Sequence, residues 1–286
     1  YKVAGFDMYA VSSVLPGSGL SSSAACEVLL GTAGNHLFCG DAYDAVTIAR
    51  IGQKAENIYF GKPSGLMDQT ASSVGDTVAI DFANPEAPVV RPIEANLEGL
   101  GLALCIIDCG ADHAALTGEY ASIPQEMCQV AAYFGKKVLR EVNEADVLAN
   151  LPALRQKVGD RAVLRALHFY ADDQRAVEEA DALASGEKEI FLNLVKESGR
   201  SSWELLQNIT PAAAVAHQDM AIALTVAEKA LNGEGACRVH GGGFAGTIQA
   251  FVPVENVCEF KKTMETMLSE GCCHVLSIRP AGGLIL

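Results

Sequence analysis

Positive charge is what this 286-residue chain has least of: 21 Lys and Arg stand against 35 Asp and Glu, a formal net charge of −14. That balance excludes nucleic acid and anionic membrane as partners, because both recruit basic patches. A nucleotide substrate remains compatible, since Mg²⁺ and local dipoles offset the field. No uninterrupted apolar stretch approaches the ~20 residues of a membrane span. Nine cysteines and six histidines include no Cys-x-x-Cys and no His-x-x-x-His pair, which removes the usual zinc spacings and a disulfide frame. Scattered cysteines in odd number read as reduced thiols and a cytoplasmic protein. No lysine lies between Lys2 and Lys54, so the Gly-Lys-Ser/Thr of a P-loop is missing from the first glycine-rich segment. A start methionine and a secretory leader are missing too, and Tyr1 reads as a cut with protein expected upstream.

What is there begins with Pro16 to Ala25, which read Pro-Gly-Ser-Gly-Leu-Ser-Ser-Ser-Ala-Ala. Gly17 and Gly19 can take positive φ and admit a ligand close to the backbone. The serines open an Ala-rich run suited to a helix, whose free N–H groups and dipole attract phosphate. Ser21, Ser22 and Ser23 add hydroxyls able to bond phosphate or ligate Mg²⁺. The competing reading is a serine N-cap after a turn. A dinucleotide fingerprint is excluded, because Ser22 stands where its third glycine belongs.

The rest of the chain reads as α+β in two domains, 1–95 and 96–286, with a seam near Glu94–Asn96. Phe6 to Val14 alternates loosely as a strand. Asp41 reads as the cap of a second helix running to about Phe60. A short helix starts near Leu66 and ends at Gly75, and Thr77 to Phe82 is a strand. Leu102 to Asp108 is the strongest buried-strand pattern in the chain. A long helical region follows, then strands around residues 236–240, 247–252 and 274–278, with a helix over 254–268.

Asp68, in Gly65-Leu66-Met67-Asp68-Gln69, can act as a general base toward a hydroxyl, though Asp is also favoured at helix starts for local reasons. Glu56, near a helix C-terminus, opposes the dipole, which suggests a metal or another cationic partner beside the default of a solvated face. Gly241–Gly243 joins two strands, either as a bulged hairpin turn or as a close approach to ligand.

Taken together, these segments resemble the galactokinase, homoserine, mevalonate and phosphomevalonate (GHMP) kinase superfamily. The serine loop resembles its second motif and Gly241-Gly242-Gly243-Phe244-Ala245-Gly246 its third. Ala55-Glu56-Asn57 and Gly65 to Gln69 resemble the stretches that carry the magnesium-binding Glu and the catalytic Asp in galactokinases. His113 and Tyr120, in His-Ala-Ala-Leu-Thr-Gly-Glu-Tyr, resemble the segment whose Tyr touches the sugar. The order and spacing match over nearly the whole chain.

The resemblance implies a two-domain sugar-kinase fold. Its first domain is of the ribosomal protein S5 domain 2 type, incomplete here, and its second is a ferredoxin-like α+β domain. It implies ATP-dependent phosphorylation of galactose at C1, with Asp68 as catalytic base. Pro16, Gly17, Ser18, Gly19, Leu20, Ser21, Ser22, Ser23, Gly242 and Gly243 would hold ATP, Ser23 and Glu56 would hold Mg²⁺, and Gly65, Asp68 and Tyr120 would meet the sugar. Three departures stand out. The first motif, with its sugar-binding Glu-His-Asp cluster and catalytic Arg, is expected upstream of Tyr1, so the fragment itself is expected to be inactive. Ala-Ser-Ile-Pro follows Tyr120 where many galactokinases carry arginines. Val239-His240 and Ala245 differ from the commoner third motif. Two alternatives follow: a kinase for another sugar such as an N-acetylhexosamine, or a non-catalytic galactose- and ATP-binding regulator. The intact Ser22-Ser23-Ala24-Ala25 weighs against the regulator.

Overall fold

The computed structural model describes residues 2–14, 19–61, 64–110, 116–244 and 246–286. They form two compact units, one of residues 1–94 with 278–286 and one of residues 95–277. The last nine residues therefore group with the first unit, where the sequence reading had assigned them to the second domain. Their backbone explains it: Asp76 N–H donates to Arg279 O at 2.8 Å and Gly283 N–H to Ser73 O at 3.3 Å.

The first unit packs three helices, α1 (Ser22–Gly34), α2 (Ala45–Tyr59) and α3 (Met67–Val74), with a hairpin of β1 (Thr77–Asp81) and β2 (Val89–Ile93). A π-helical turn, Asn35–Cys39, extends α1. The cap of α2 is Asp44, whose carboxylate accepts from Thr47 N–H, and hydrogen bonding by the Thr47 side chain and then its backbone holds the Asp44 pKa below the usual carboxylate value. Asp41, the cap read from sequence, instead adopts φ 58° and pairs with His36 at 3.0 Å. Asp44 prevails because it sits three residues before the N–H it bonds, the spacing a capping carboxylate reaches. Phe6 to Val14, read as a strand, has no ladder partner among the described residues, and its side chains lie mostly exposed. Alternation alone makes a strand only where a neighbour accepts its hydrogen bonds.

The second unit is built on an antiparallel sheet in the order β4-β5-β3-β6. Its strands are β3 (Leu102–Asp108), β4 (Ala236–Val239), β5 (Thr247–Pro253) and β6 (Cys273–Leu276). Between β3 and β4 run α4 (Thr117–Tyr133), α5 (Glu144–Ala149), α6 (Leu151–Val158), α7 (Asp160–Ala184), α8 (Lys188–Ser201) and α9 (Asp219–Leu231); α10 (Val257–Met267) links β5 to β6. This is the βαββαβ order of a ferredoxin-like domain with a large helical insertion. Burial follows the two-residue period of a sheet. Cys105, Ile107 and Ile248 pack in one core with α9 and α10, while Leu102 and Phe251 pack on the other side with α8. There Phe191 meets Phe251 edge-on at 4.9 Å. A further core, around Val130, Leu154 and Ala166, joins α4 to α6 and α7. Among the described residues no helix is long and apolar enough to cross a membrane.

Candidate functional site

The serine loop enters α1 through Gly19, at φ 73°, and Ser21, at φ 55° and ψ 56°. Ser21 is the N-cap residue, yet its side chain makes no capping bond. Its hydroxyl donates instead to Asp68 Oδ2. The simple serine-cap reading is thereby displaced, and the first N–H groups of α1 are left without a cap from Ser21. Ser22 and Ser23 are the first two residues of α1, and Ser23 is exposed. Pro16, Gly17 and Ser18 lie outside the described residues, as does His113.

Asp68 is the second residue of α3 and is exposed. The loop before it is clamped by α2. Ser64 N–H donates to Asn57 Oδ1 at 2.8 Å, and Gln53 and Asn57 both donate to Ser64 O. Gly65 follows with no heavy atom near its missing side-chain position, so that side of the loop is open.

Glu56 points inward from α2 and is only 4% exposed. Its Oε2 accepts from Gln69 Nε2 at 3.0 Å, and the same nitrogen donates to Glu27 Oε2 at 3.1 Å. Two carboxylates, from α1 and α2, thus converge on one amide. Gly52 makes room: a Cβ there would come within 3.1 Å of the Glu27 carboxylate. Among the described residues no cluster of three or more His, Cys, Asp and Glu forms a cage for a metal. An all-oxygen set of one or two carboxylates and a serine hydroxyl, completed by phosphates, nevertheless fits Mg²⁺ chemistry. Sequence reasoning missed Glu27 and Gln69. A signal existed for Glu27, which lies four residues after Ser23 on the same face of α1.

The second unit carries the other glycine-rich turn, between β4 and β5. The Tyr120 hydroxyl donates to Gly243 O at 2.8 Å, and its ring meets Phe244 edge-on at 5.6 Å. Burial raises the Tyr120 pKa, which keeps the phenol protonated as a donor. A Cβ on Gly242 would fall 2.8 Å from that ring. Gly243 takes φ 81° with its missing side-chain position against the Asn208 carbonyl. Asn208, absent from the sequence reading, accepts from Phe244 N–H at 2.5 Å and donates from Nδ2 to Gly242 O at 3.2 Å. The sequence reading gave Tyr120 to the sugar; the hydroxyl's described bond is to the turn. A groove of about 590 Å³ elsewhere in this unit, lined by Lys196, Trp203 and Glu228, contains none of these residues.

Residues 1–76 match the family described as GHMP kinases N terminal domain. The galactokinase of Streptomyces coelicolor is 31% identical over 267 residues, which are 93% of this chain and 65% of that protein. That of Mannheimia succiniciproducens is 32% identical over 265 residues, 90% of this chain and 64% of the relative. The chain is thus similar to GHMP kinases in its first 76 residues and to galactokinases over most of its length. It spans just under two thirds of the length of these curated relatives. Among solved structures, Lactococcus lactis galactokinase complexed with galactose superposes with a TM-score of 0.74 at 24% identity, covering 96% of this chain and 69% of that one. L. major mevalonate kinase in complex with R-mevalonate gives a TM-score of 0.58 at 13% identity, over 91% of this chain and 66% of that one. These likenesses place the fold as the two-domain α+β fold of GHMP kinases.

Proposed function

We propose that this chain is part of a GHMP kinase that phosphorylates galactose at C1 with ATP. The observation that carries the reading is the Ser21–Asp68 bond, which joins a phosphate-type loop to a candidate base. The galactokinase relatives supply the choice of sugar.

In this reading the serine loop, from Pro16 to Ser23, and Gly242 with Gly243 bind ATP. Phosphoryl transfer asks mainly for positioning and charge neutralisation. The sugar hydroxyl oxygen bonds to the γ-phosphorus as the bond from that phosphorus to the β–γ bridging oxygen breaks, and ADP departs. Asp68 accepts the hydroxyl proton. The Ser21 hydroxyl holds one Asp68 oxygen in place, so the carboxylate need not reorganise during the transfer. Ser23 and Glu56 are the residues that would hold Mg²⁺, which when bound neutralises phosphate charge. Gln69 keeps the Glu56 carboxylate aimed, and Gly65 and Tyr120 are assigned to the sugar side. The acidic balance of the chain supports a small-molecule partner over nucleic acid. Nine free thiols support a cytoplasmic location.

The test is ADP release by the complete gene product with galactose, with N-acetylhexosamines and with no sugar. Galactose-dependent release is expected. Faster turnover of an N-acetylhexosamine reassigns the sugar, and binding of ATP and galactose without turnover makes the protein a regulator.

A further inference from the structure

Arg165 of α7 is completely buried, 0% exposed, and a guanidinium is costly to hide. Burial pushes its pKa down, and Glu126 pushes back. Apolar residues often replace buried ion pairs without loss of stability, so the fork geometry of Arg165 points to a positional role.

Its donors reach two segments. Nε donates to Leu206 O at 3.0 Å; Nη1 donates to Ser122 Oγ at 2.8 Å and to Glu126 Oε2 at 3.0 Å. Leu206 closes the π-helical turn Ser202–Leu206, and Asn208 follows two residues later, 2% exposed. Ser122 lies two residues after Tyr120 on α4. Asn208 and Tyr120 both grip the turn at Gly241–Phe244. One guanidinium therefore holds the roots of both clamps. The turn needs clamping from outside, because Gly241, Gly243 and Phe244 all adopt positive φ and glycines leave the unconstrained backbone many alternatives.

We propose that Arg165 is a positioning residue for the Gly241–Phe244 turn, fixing through Asn208 and Tyr120 the backbone shape that the turn presents to a nucleoside phosphate. The ligand half of this inference rests on the nucleotide reading given above; the clamp half does not.

The test uses the full chain, with Arg165→Lys and Asn208→Ala. The lysine keeps a charge opposite Glu126 but cannot span Leu206 O and Ser122 Oγ together. Amide hydrogen exchange is read at Phe244 without nucleotide, and Mg-ADP binding is read by titration calorimetry. Asn208→Ala keeps the backbone oxygen that accepts Phe244 N–H but loses the Nδ2 bond to Gly242 O. In both variants the turn should therefore open more readily and Phe244 should exchange about tenfold faster, on the scale of one lost hydrogen bond, while β3 amides stay unchanged. The Mg-ADP Kd should rise by a similar factor with the binding stoichiometry unchanged. Parent-like exchange at Phe244 in Arg165→Lys overturns the proposal. So does faster exchange spread evenly over the sheet, or a fall in stoichiometry at constant Kd, since either marks a role in folding alone. If Arg165→Lys fails to fold, Asn208→Ala decides, and parent-like exchange there overturns the clamp. A parent chain that does not bind Mg-ADP sinks the nucleotide reading and leaves the clamp to be judged by exchange.

Discussion

Ser21 and Asp68 lie 47 residues apart and are joined by a hydrogen bond from the serine hydroxyl to Oδ2 of the carboxylate. The residue that ordinarily would cap α1 is committed to α3, so the loop and the candidate base are fixed to each other.

Asp68→Asn keeps the size and the Ser21 contact but removes the base. Turnover with galactose should fall by at least ~10²-fold, the usual contribution of acid–base help, with the nucleotide Kd nearly unchanged. Steady-state kinetics beside nucleotide titration check it. Near-parental turnover removes Asp68 from the mechanism.

Ser21→Ala frees Asp68 without altering its charge. A smaller loss is expected, on the order of tenfold for one hydrogen bond, expressed in kcat more than in the galactose KM. An unchanged kcat would leave the bond without a catalytic role.

Glu56→Gln retains a group able to meet Gln69 but removes the charge. The Mg²⁺ concentration for half-maximal rate should rise by about tenfold or more. A Mg²⁺ titration that overlays the parent's would make Glu56 a structural residue only.

Gly243→Ala introduces a Cβ at φ 81° that collides with the Asn208 carbonyl. Strain of this kind costs about 1–3 kcal/mol. Thermal unfolding should shift down accordingly, and the nucleotide Kd should rise. A parental Tm and Kd would show that the turn tolerates another shape.

Glu179 of α7 has its pKa pushed up to about 7, chiefly by burial, against the pull of Arg238 and with Asp172 adding to the rise. A carboxyl that holds its proton more tightly when folded stabilises the fold at low pH. Its contribution is complete below the unfolded pKa, near 4.3, and is lost as pH rises toward 7. Glu179→Gln should therefore raise stability at pH 8, by on the order of 1–3 kcal/mol, and flatten the pH dependence between about 4.5 and 7. Denaturant melts at several pH values check this, and a parallel pH profile for both proteins refutes it.

Local patterns carried much of the fold. Leu102–Asp108 is β3 to the residue because six consecutive apolar residues, Leu102 to Ile107, fit a strand buried on both faces and Asp108 ends it. Gly75 ends α3 with φ 77°, as a helix-stopping glycine should. What stayed illegible depends on distant partners. Phe6–Val14 has strand alternation but no neighbour to pair with among the described residues. Asp41 and Asp44 are equivalent as letters, and only the local backbone selects the cap. At the site, Asp68 and Glu56 carry motif signals, whereas Gln69 matters because one amide nitrogen meets carboxylates from two other helices. Asn208 holds the turn with its backbone oxygen as well as its side-chain amide, and no side-chain pattern reveals the former.

The most direct measurement is ³¹P and ¹H NMR of the product formed from ATP and galactose by the complete gene product, run beside its Asp68→Asn variant. The account predicts a phosphate ester on the anomeric carbon, formed in the parent and nearly absent in the variant. A phosphate on another carbon, no sugar phosphate from galactose, or equal product from both proteins would contradict it.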